Sequence, residues 1–409
     1  MIQATTTASS HDATLARATP GELGLCAQRT QRLLDVLQGE IDRQRLPGAV
    51  VAVARHGRLA LLESLGLQDP VSGAPMAVDS IFRIYSMTKP IVSVAIMMLV
   101  EQGRLLLSDA VATHLPEFAA QQLVVPDGQG GYVLRPVARA ATVQDLLRHT
   151  AGLSYEFLGD GPVQRRYAEA RIGSRERSNA EFSRTLAALP LMAEPGSLWE
   201  YSRATDVLGR LVEVISGQTL GDFLRTQILG PLGMHDTAFA VPPAQHGRIA
   251  EAFAHDPDGG TPMRLIDIRR EAALESGGGG LAGTAMDYAR FLQFMLNKGE
   301  LDGVRLLGPR TVEFMTSDHL GSIPIHGGAA STLLPPGHGF GLGFAVRTAA
   351  GLAPVPGSVG MYYWGGIAGT TFFVDPAEDL FALMMIQAPN QRDYYRPLFR
   401  SLVYAALID

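Results

Sequence analysis

The sequence predicts an α/β chain of the α+β kind: an antiparallel sheet flanked by helices and built from both ends of the chain, with a mainly helical region inserted between them. Three observations predict it. Two short apolar runs near the start surround Arg55-His56-Gly57-Arg58, as the strands of a hairpin do. The middle alternates helical segments with long Gly- and Pro-rich loops, and the last 75 or so residues are short alternating or apolar runs between turns, followed by one helical pattern. The expected division is a loose leader over 1–25, an α/β domain over 26–85 and 336–409, and a helical domain over 86–335, with a cleft between the last two.

The elements follow in order. Residues 1–25 are rich in Thr, Ser and Ala without an apolar period, which reads as a leader lying along the surface. From Ala27 to Arg45, Leu33, Leu34, Val36, Leu37 and Ile41 recur at helical spacing, and Pro47-Gly48 ends the pattern. Ala49–Ala54 and Leu59–Ser64 are the hairpin strands. A helix is expected from Ser86 to Gln102, closed by Gly103, because glycine tolerates the left-handed turn that ends helices. Further helices are expected over 143–148, 204–216, 220–229, 285–298 and 309–316. The terminal strands are expected over 340–346, 358–363, 370–374 and 380–386, and the closing helix over 393–407.

Composition excludes several classes of function. The chain has 409 residues, 46% of them hydrophobic, which is ample for a large core. The net charge is −6 and the 34 basic residues form no long run or aromatic-interleaved stripe, so nucleic-acid binding is not expected. Cys26 is the single cysteine, which rules out an internal disulfide and a cysteine-rich zinc site. The start, Met1 to Thr7, lacks a basic segment followed by an apolar run, so no secretory signal is read and a cytoplasmic location is expected. Ile91–Val100 is too short to span a bilayer and reads as a buried helix, so no membrane partner is expected.

Ser86-Met87-Thr88-Lys89 supplies two parts of an acyl-transfer site. Such chemistry needs a nucleophilic oxygen, a group to take its proton and donors aimed at the developing oxyanion. Residues three apart share a helix face, so the Lys89 amine can approach the Ser86 hydroxyl. An N–H at the helix start is unpaired and the dipole there favours an anion. Pro90 fits the first turn, where its missing N–H is harmless. By itself the tetrapeptide could be a capping serine and a solvated lysine. However, the chain has only two lysines, Lys89 and Lys298, so 32 of its 34 basic residues are arginine. Arginine cannot accept a proton near neutral pH, whereas a desolvated lysine can.

These residues and others in the same order carry a family resemblance. Ile84-Tyr85-Ser86-Met87-Thr88-Lys89-Pro90 resembles the active-site helix start of class C β-lactamases and, more closely, of family VIII carboxylesterases. Leu146–Leu153, Pro195-Gly196 leading to Tyr201-Ser202-Arg203, Gly277–Leu281, and Trp364-Gly365-Gly366 extend the resemblance over about residues 30 to 405. It implies the β-lactamase/transpeptidase-like form of the predicted fold. It also implies an acylated Ser86, a general base pair of Lys89 and Tyr201, and an oxyanion hole from the backbone N–H groups of Ser86 and Ile367. Trp364, Gly365 and Gly366 stand where the β-lactamases have Lys-Thr-Gly, and with Tyr155 and Arg203 they are expected to contact substrate. Two departures from the β-lactamase pattern favour neutral esters. Arg203 replaces the asparagine that would hold a β-lactam side chain, and Trp364 replaces the lysine that would attract its carboxylate. The expected reaction is hydrolysis of a small or medium carboxylic ester, a small-molecule substrate, without a cofactor.

Other features receive simpler readings. No Gly-x-Ser-x-Gly elbow is present, so His149 is read as structural and not as part of a Ser-His-Asp triad. The remaining histidines show no paired-ligand spacing, and no metal is expected. The Gly277–Gly280 run reads as close backbone packing. Tyr155, Phe157, Tyr362 and Tyr363 hint at an apolar pocket. Four alternatives stay open: an acyltransferase acting on a metabolite alcohol, a D-amino-acid amidase or peptidase, a weak β-lactamase, and a binding protein with a dead site. The intact Ser, Lys and Tyr disfavour the last.

Overall fold

A computed structural model describes residues 14–409. The antiparallel sheet has eight strands: β1 (Gly48–Arg55), β2 (Arg58–Asp69), β3 (Ala74–Pro75), β4 (His338–Phe340), β5 (Ala345–Arg347), β6 (Tyr362–Gly365), β7 (Gly369–Asp375) and β8 (Leu380–Gln387). Their order is β4-β5-β6-β7-β8-β1-β2-β3, so β1 pairs with β8 across the two ends of the chain, Ala49 opposite Ile386 and Arg55 opposite Leu380. This is the sheet that the sequence predicts.

Period-two alternation divides the sheet between two cores. Val50, Ala52 and Ala54 of β1 point to the larger core and Ala49, Val51 and Val53 to the smaller. Because helices cover both faces, β1 is buried throughout and reads as an unbroken apolar run. The smaller core is closed by α1 (Ala27–Asp42), through Leu33 and Leu37, and by the last helix, through Tyr395, Phe399 and Val403. The larger core runs from the sheet into the inserted region. It holds most of α2 (Thr88–Glu101), α3 (Val143–Leu147), α4 (Ala204–Ser216) and α5 (Ala285–Leu296) in the same cluster as Val50 and Phe372. The last helix is α6 (Arg392–Ala406).

Several boundaries differ from the sequence reading. Residues 1–13 lie outside the described part of the leader. Over 14–25 the chain is held against the sheet: Arg17 bridges Leu59, Leu25 bridges Leu407, and Leu23 and Leu25 are buried. The expected strand over 340–346 is two strands, because Gly341 and a left-handed Gly343 turn the chain between them. Residues 358–361 are a turn and not a strand. The helix from 220 becomes a π-helical turn over Arg225–Leu229. The hairpin Gln122–Pro126 with Tyr132–Pro136 and the helices Pro162–Glu169 and Asn179–Ala187 are elements that the sequence pattern does not predict. Among the described residues no helix is long and apolar enough to cross a membrane.

Candidate active site

Ser86 enters the site through a strained turn. The α-helix begins at Thr88, and Ser86 lies in the preceding 3-10 turn, Tyr85–Met87, with Tyr85 in the left-handed region at φ 44°. For a non-glycine residue that conformation costs about 1–2 kcal/mol, so the surroundings must hold it. They do so on every side. The Ile84 N–H donates to the Leu281 carbonyl at 3.1 Å, the Tyr85 hydroxyl accepts from the Ile266 N–H at 2.8 Å, and the Tyr288 hydroxyl donates to the Met87 carbonyl at 2.9 Å. Thr88 accepts from the Leu281 N–H at 3.2 Å. The result is a half-buried Ser86 just before a helix that is buried from Thr88 to Leu99.

Lys89 is buried, and its ammonium meets three acceptors: Gly278 O at 2.6 Å, Tyr155 Oη at 2.9 Å and Ser86 Oγ at 3.3 Å. Three donors on a compact head meet three oxygens, which a planar guanidinium could not match. Tyr201 Oη and Ser86 Oγ share a 2.7 Å hydrogen bond, and the Lys89 nitrogen lies 4.5 Å from the centre of the Tyr201 ring. The indole N–H of Trp364 is 3.4 Å from Tyr201 Oη. Ser86, Lys89, Tyr201 and Trp364, drawn from the helical region and from β6, are thus brought together.

The turn after β6 reaches the same place. A Cβ on Gly366 would collide with the carbonyl oxygen of Ile84, and Thr370 Oγ1 lies 3.5 Å from that same oxygen. The Gly366 N–H donates to Thr370 O at 2.9 Å and the Gly369 N–H to Gly366 O at 3.0 Å. The loop that carries Ile367 therefore sits beside the segment leading into Ser86. Gly365 leaves room for the Arg396 guanidinium, which donates to the carbonyls of Gly366 and Thr370. Burial pulls this arginine down to about 10.

Three expected substrate contacts are otherwise engaged. Arg203 is turned inward: it pairs with Glu156 and, at 3.6 Å, with Asp206, and it stacks over the Tyr155 ring at 4.8 Å. Its charge is committed within the protein. Tyr155 Oη accepts from Lys89, and burial pushes its phenol well above the usual range. Trp364 directs its N–H at Tyr201 and packs on that ring at 5.2 Å. Tyr362 is buried against Phe344, and Tyr363 lies under the Arg400 guanidinium, so neither is brought to Ser86. Phe157, stacked on Tyr155 at 4.7 Å and 54% exposed, is the hinted aromatic that stays at the surface beside the site.

His149 bonds Ser202 Oγ at 3.1 Å and packs on Tyr201, Trp199 and Phe340. Burial, and then the Lys89 charge, hold it well below its ordinary value, so it is a neutral ring in a wall and not a base on Ser86. The glycine run packs closely, as expected: a Cβ on Gly277 would meet Thr205 O, and one on Gly278 would meet the Asp206 carboxylate. No residue type signals that the Gly278 carbonyl receives Lys89, because every residue carries such a group. Among the described residues, no group of three or more His, Cys, Asp or Glu is placed to hold a metal ion.

Comparison with known proteins finds a matching family and related chains. A family model described as Beta-lactamase matches residues 30–405. An uncharacterised protein of Mycobacterium tuberculosis is 36% identical over 85% of this chain and 87% of its own length. Esterase EstB of Burkholderia gladioli is 35% identical over 88% of this chain and 90% of its own. Among solved structures, EstCE1, described as a hydrolase with promiscuous acyltransferase activity, superposes with a TM-score of 0.76 at 30% identity, covering 92% of this chain and 98% of that one.

Proposed function

Because the chain belongs to the Beta-lactamase family and is a serine hydrolase, we propose that it is a carboxylesterase that hydrolyses small or medium carboxylic esters through an acyl-enzyme on Ser86. The observation that carries this reading is the 2.7 Å contact of Tyr201 Oη with Ser86 Oγ, beside a buried Lys89 ammonium. Ser86 Oγ attacks the ester carbonyl and its proton passes to the Tyr201–Lys89 pair, with Tyr201 as the oxygen in contact and Lys89 offsetting the negative charge. The oxyanion forms between the backbone N–H groups of Ser86 and Ile367. Collapse of the intermediate expels the alkoxide, which takes the proton from Tyr201. Water then attacks the acyl-enzyme by the same path and frees Ser86.

Two features support an ester over a β-lactam. Position 364 offers an indole N–H already directed at Tyr201 and no cation for a carboxylate, and Arg203 has no free amide and is paired internally. Slow hydrolysis of a chromogenic cephalosporin, at most, is expected. The similarity to EstCE1 also favours a second reading, acyl transfer to an alcohol, which an acceptor that accelerates acyl-enzyme turnover would reveal.

The test is mass spectrometry of the protein mixed with short-chain p-nitrophenyl esters, with nitrophenol release followed for wild type and Ser86→Ala. Wild type should release nitrophenol and gain an acyl mass on the peptide holding Ser86, and the variant should do neither. Equal behaviour of the two proteins would remove Ser86 as nucleophile.

A further inference from the structure

Resting on the assignment of Lys89 to the base pair, we propose that Asp206 is a positioning residue that fixes two of the three acceptors of the Lys89 ammonium. Asp206 lies in the first turn of α4, five residues after Tyr201, and its carboxylate is buried. One oxygen accepts from the Gly278 N–H at 3.0 Å and from the Ser276 hydroxyl. Residue 278 then presents its own carbonyl to Lys89 at 2.6 Å, the shortest of the three contacts. Thus a single residue links the carboxylate to the ammonium.

The second route runs through Arg203. Asp206 lies 3.6 Å from this guanidinium, Glu156 pairs with it from the other side, and the guanidinium stacks on the ring of Tyr155. Tyr155 Oη is the second acceptor of Lys89, at 2.9 Å. Asp206 therefore holds the glycine loop by a hydrogen bond and the Tyr155 ring by way of an ion pair. The loop has no side chains with which to anchor itself, and Gly277 is pressed so close to the Thr205 carbonyl that a Cβ there would clash. A buried carboxylate is costly unless partners meet it: Asp206 Oδ1 accepts from Ser276 and Gly278, while Oδ2 makes no hydrogen bond and faces the Arg203 guanidinium at 3.6 Å.

Released from these restraints, the ammonium would move off Ser86 and Tyr201, and displacements of about 1 Å at reacting groups cost up to about 100-fold in rate. The role is tested by the acylation burst with a p-nitrophenyl ester, with KM measured alongside, in Asp206→Ala, Asp206→Asn and Ser276→Ala. Asp206→Ala should acylate at least about 10-fold more slowly with KM within about twofold of wild type, still on Ser86. Asp206→Asn, which keeps an oxygen for both donors, should regain at least half of that loss on a logarithmic scale. A smaller loss in Asp206→Ala, a loss carried by KM, or an asparagine variant as slow as alanine overturns the role. Should Asp206→Ala not fold, Ser276→Ala decides: an acylation rate lowered by about threefold or more at unchanged KM supports the role, and a smaller effect overturns it. Failure of the underlying reading looks different, since wild type would then carry no acyl group on Ser86.

Discussion

At the scale of single residues, the site is a matter of counting donors. The Lys89 ammonium has three, and Gly278 O, Tyr155 Oη and Ser86 Oγ take them all. A guanidinium keeps the charge but not the compact head that meets three oxygens at once. Lys89→Arg is therefore expected to lower kcat/KM for a p-nitrophenyl ester by about 100-fold or more, and near-wild-type activity would remove Lys89 from the base pair. Tyr155→Phe keeps the ring under Arg203 and removes one acceptor. Steady-state kinetics should show kcat lower by about 10-fold with KM little changed, and a change confined to KM would return Tyr155 to the substrate wall. Ser86 and Lys89 were legible because a three-residue spacing needs no tertiary knowledge, and Tyr201 because it lies in a recognisable motif. Tyr155 and Arg203 were legible as residues but not in their direction. Which way a side chain points depends on partners such as Glu156 and Asp206 that sequence spacing does not bring near.

At the scale of elements, α3 shows how a short helix supports the site. Thr142 and Asp145 cap its start reciprocally, the carboxylate accepting from the Thr142 N–H at 3.0 Å and the Asp145 N–H reaching Thr142 Oγ1 at 3.2 Å. The same carboxylate binds Arg139, Arg148 and the Thr150 hydroxyl, and so ties down the turn that carries His149 and leads to Tyr155. Burial alone would raise Asp145, but the hydrogen bonds from Arg139, Thr142, Thr150 and Arg148 outweigh it and bring it down to about 2 from 3.8. A folded-state value below the unfolded one means stability that is present above pH 3.8 and is lost as pH falls toward 2. The shift corresponds to about 2 kcal/mol. In a series of denaturant melts, wild type should lose about that much more between pH 4 and pH 2 than Asp145→Asn does. Asp145→Asn should start less stable at pH 7 and lose less over that window, and parallel losses in the two proteins would sink this assignment. The strand broken at Gly341 and Gly343 marks the limit of reading at this scale. An apolar run of seven residues looks continuous until the hydrogen bond from the Gly341 N–H to Phe344 O folds it back.

At the scale of the whole molecule, the building of one sheet from both ends of the chain was legible, since a hairpin at one end and a meander at the other leave few ways to bury both. The relation between the sheet and the inserted region was not, because it depends on which face of each helix meets which strand. The structure places α2, α4 and α5 in one continuous core with Val50, Phe344 and Phe372 of the sheet region, while Ser86 and Trp364 come from opposite sides of the division. A shared core argues for one cooperative unit even at this length, where separate transitions are common. The two tryptophans report on it from either side: Trp199 is buried in the inserted region and Trp364 lies on β6. In urea melts of Trp199→Phe and Trp364→Phe, each single remaining tryptophan should change its fluorescence at the same midpoint as the far-ultraviolet ellipticity of that variant. If Trp199 emission changes at clearly lower urea than ellipticity in Trp364→Phe, the helical region unfolds on its own and the larger core is two cores in contact. Coincident transitions would instead mean that the cleft is an interior surface of one unit, and that the two walls holding the Ser86–Tyr201–Trp364 contacts cannot part without unfolding the chain.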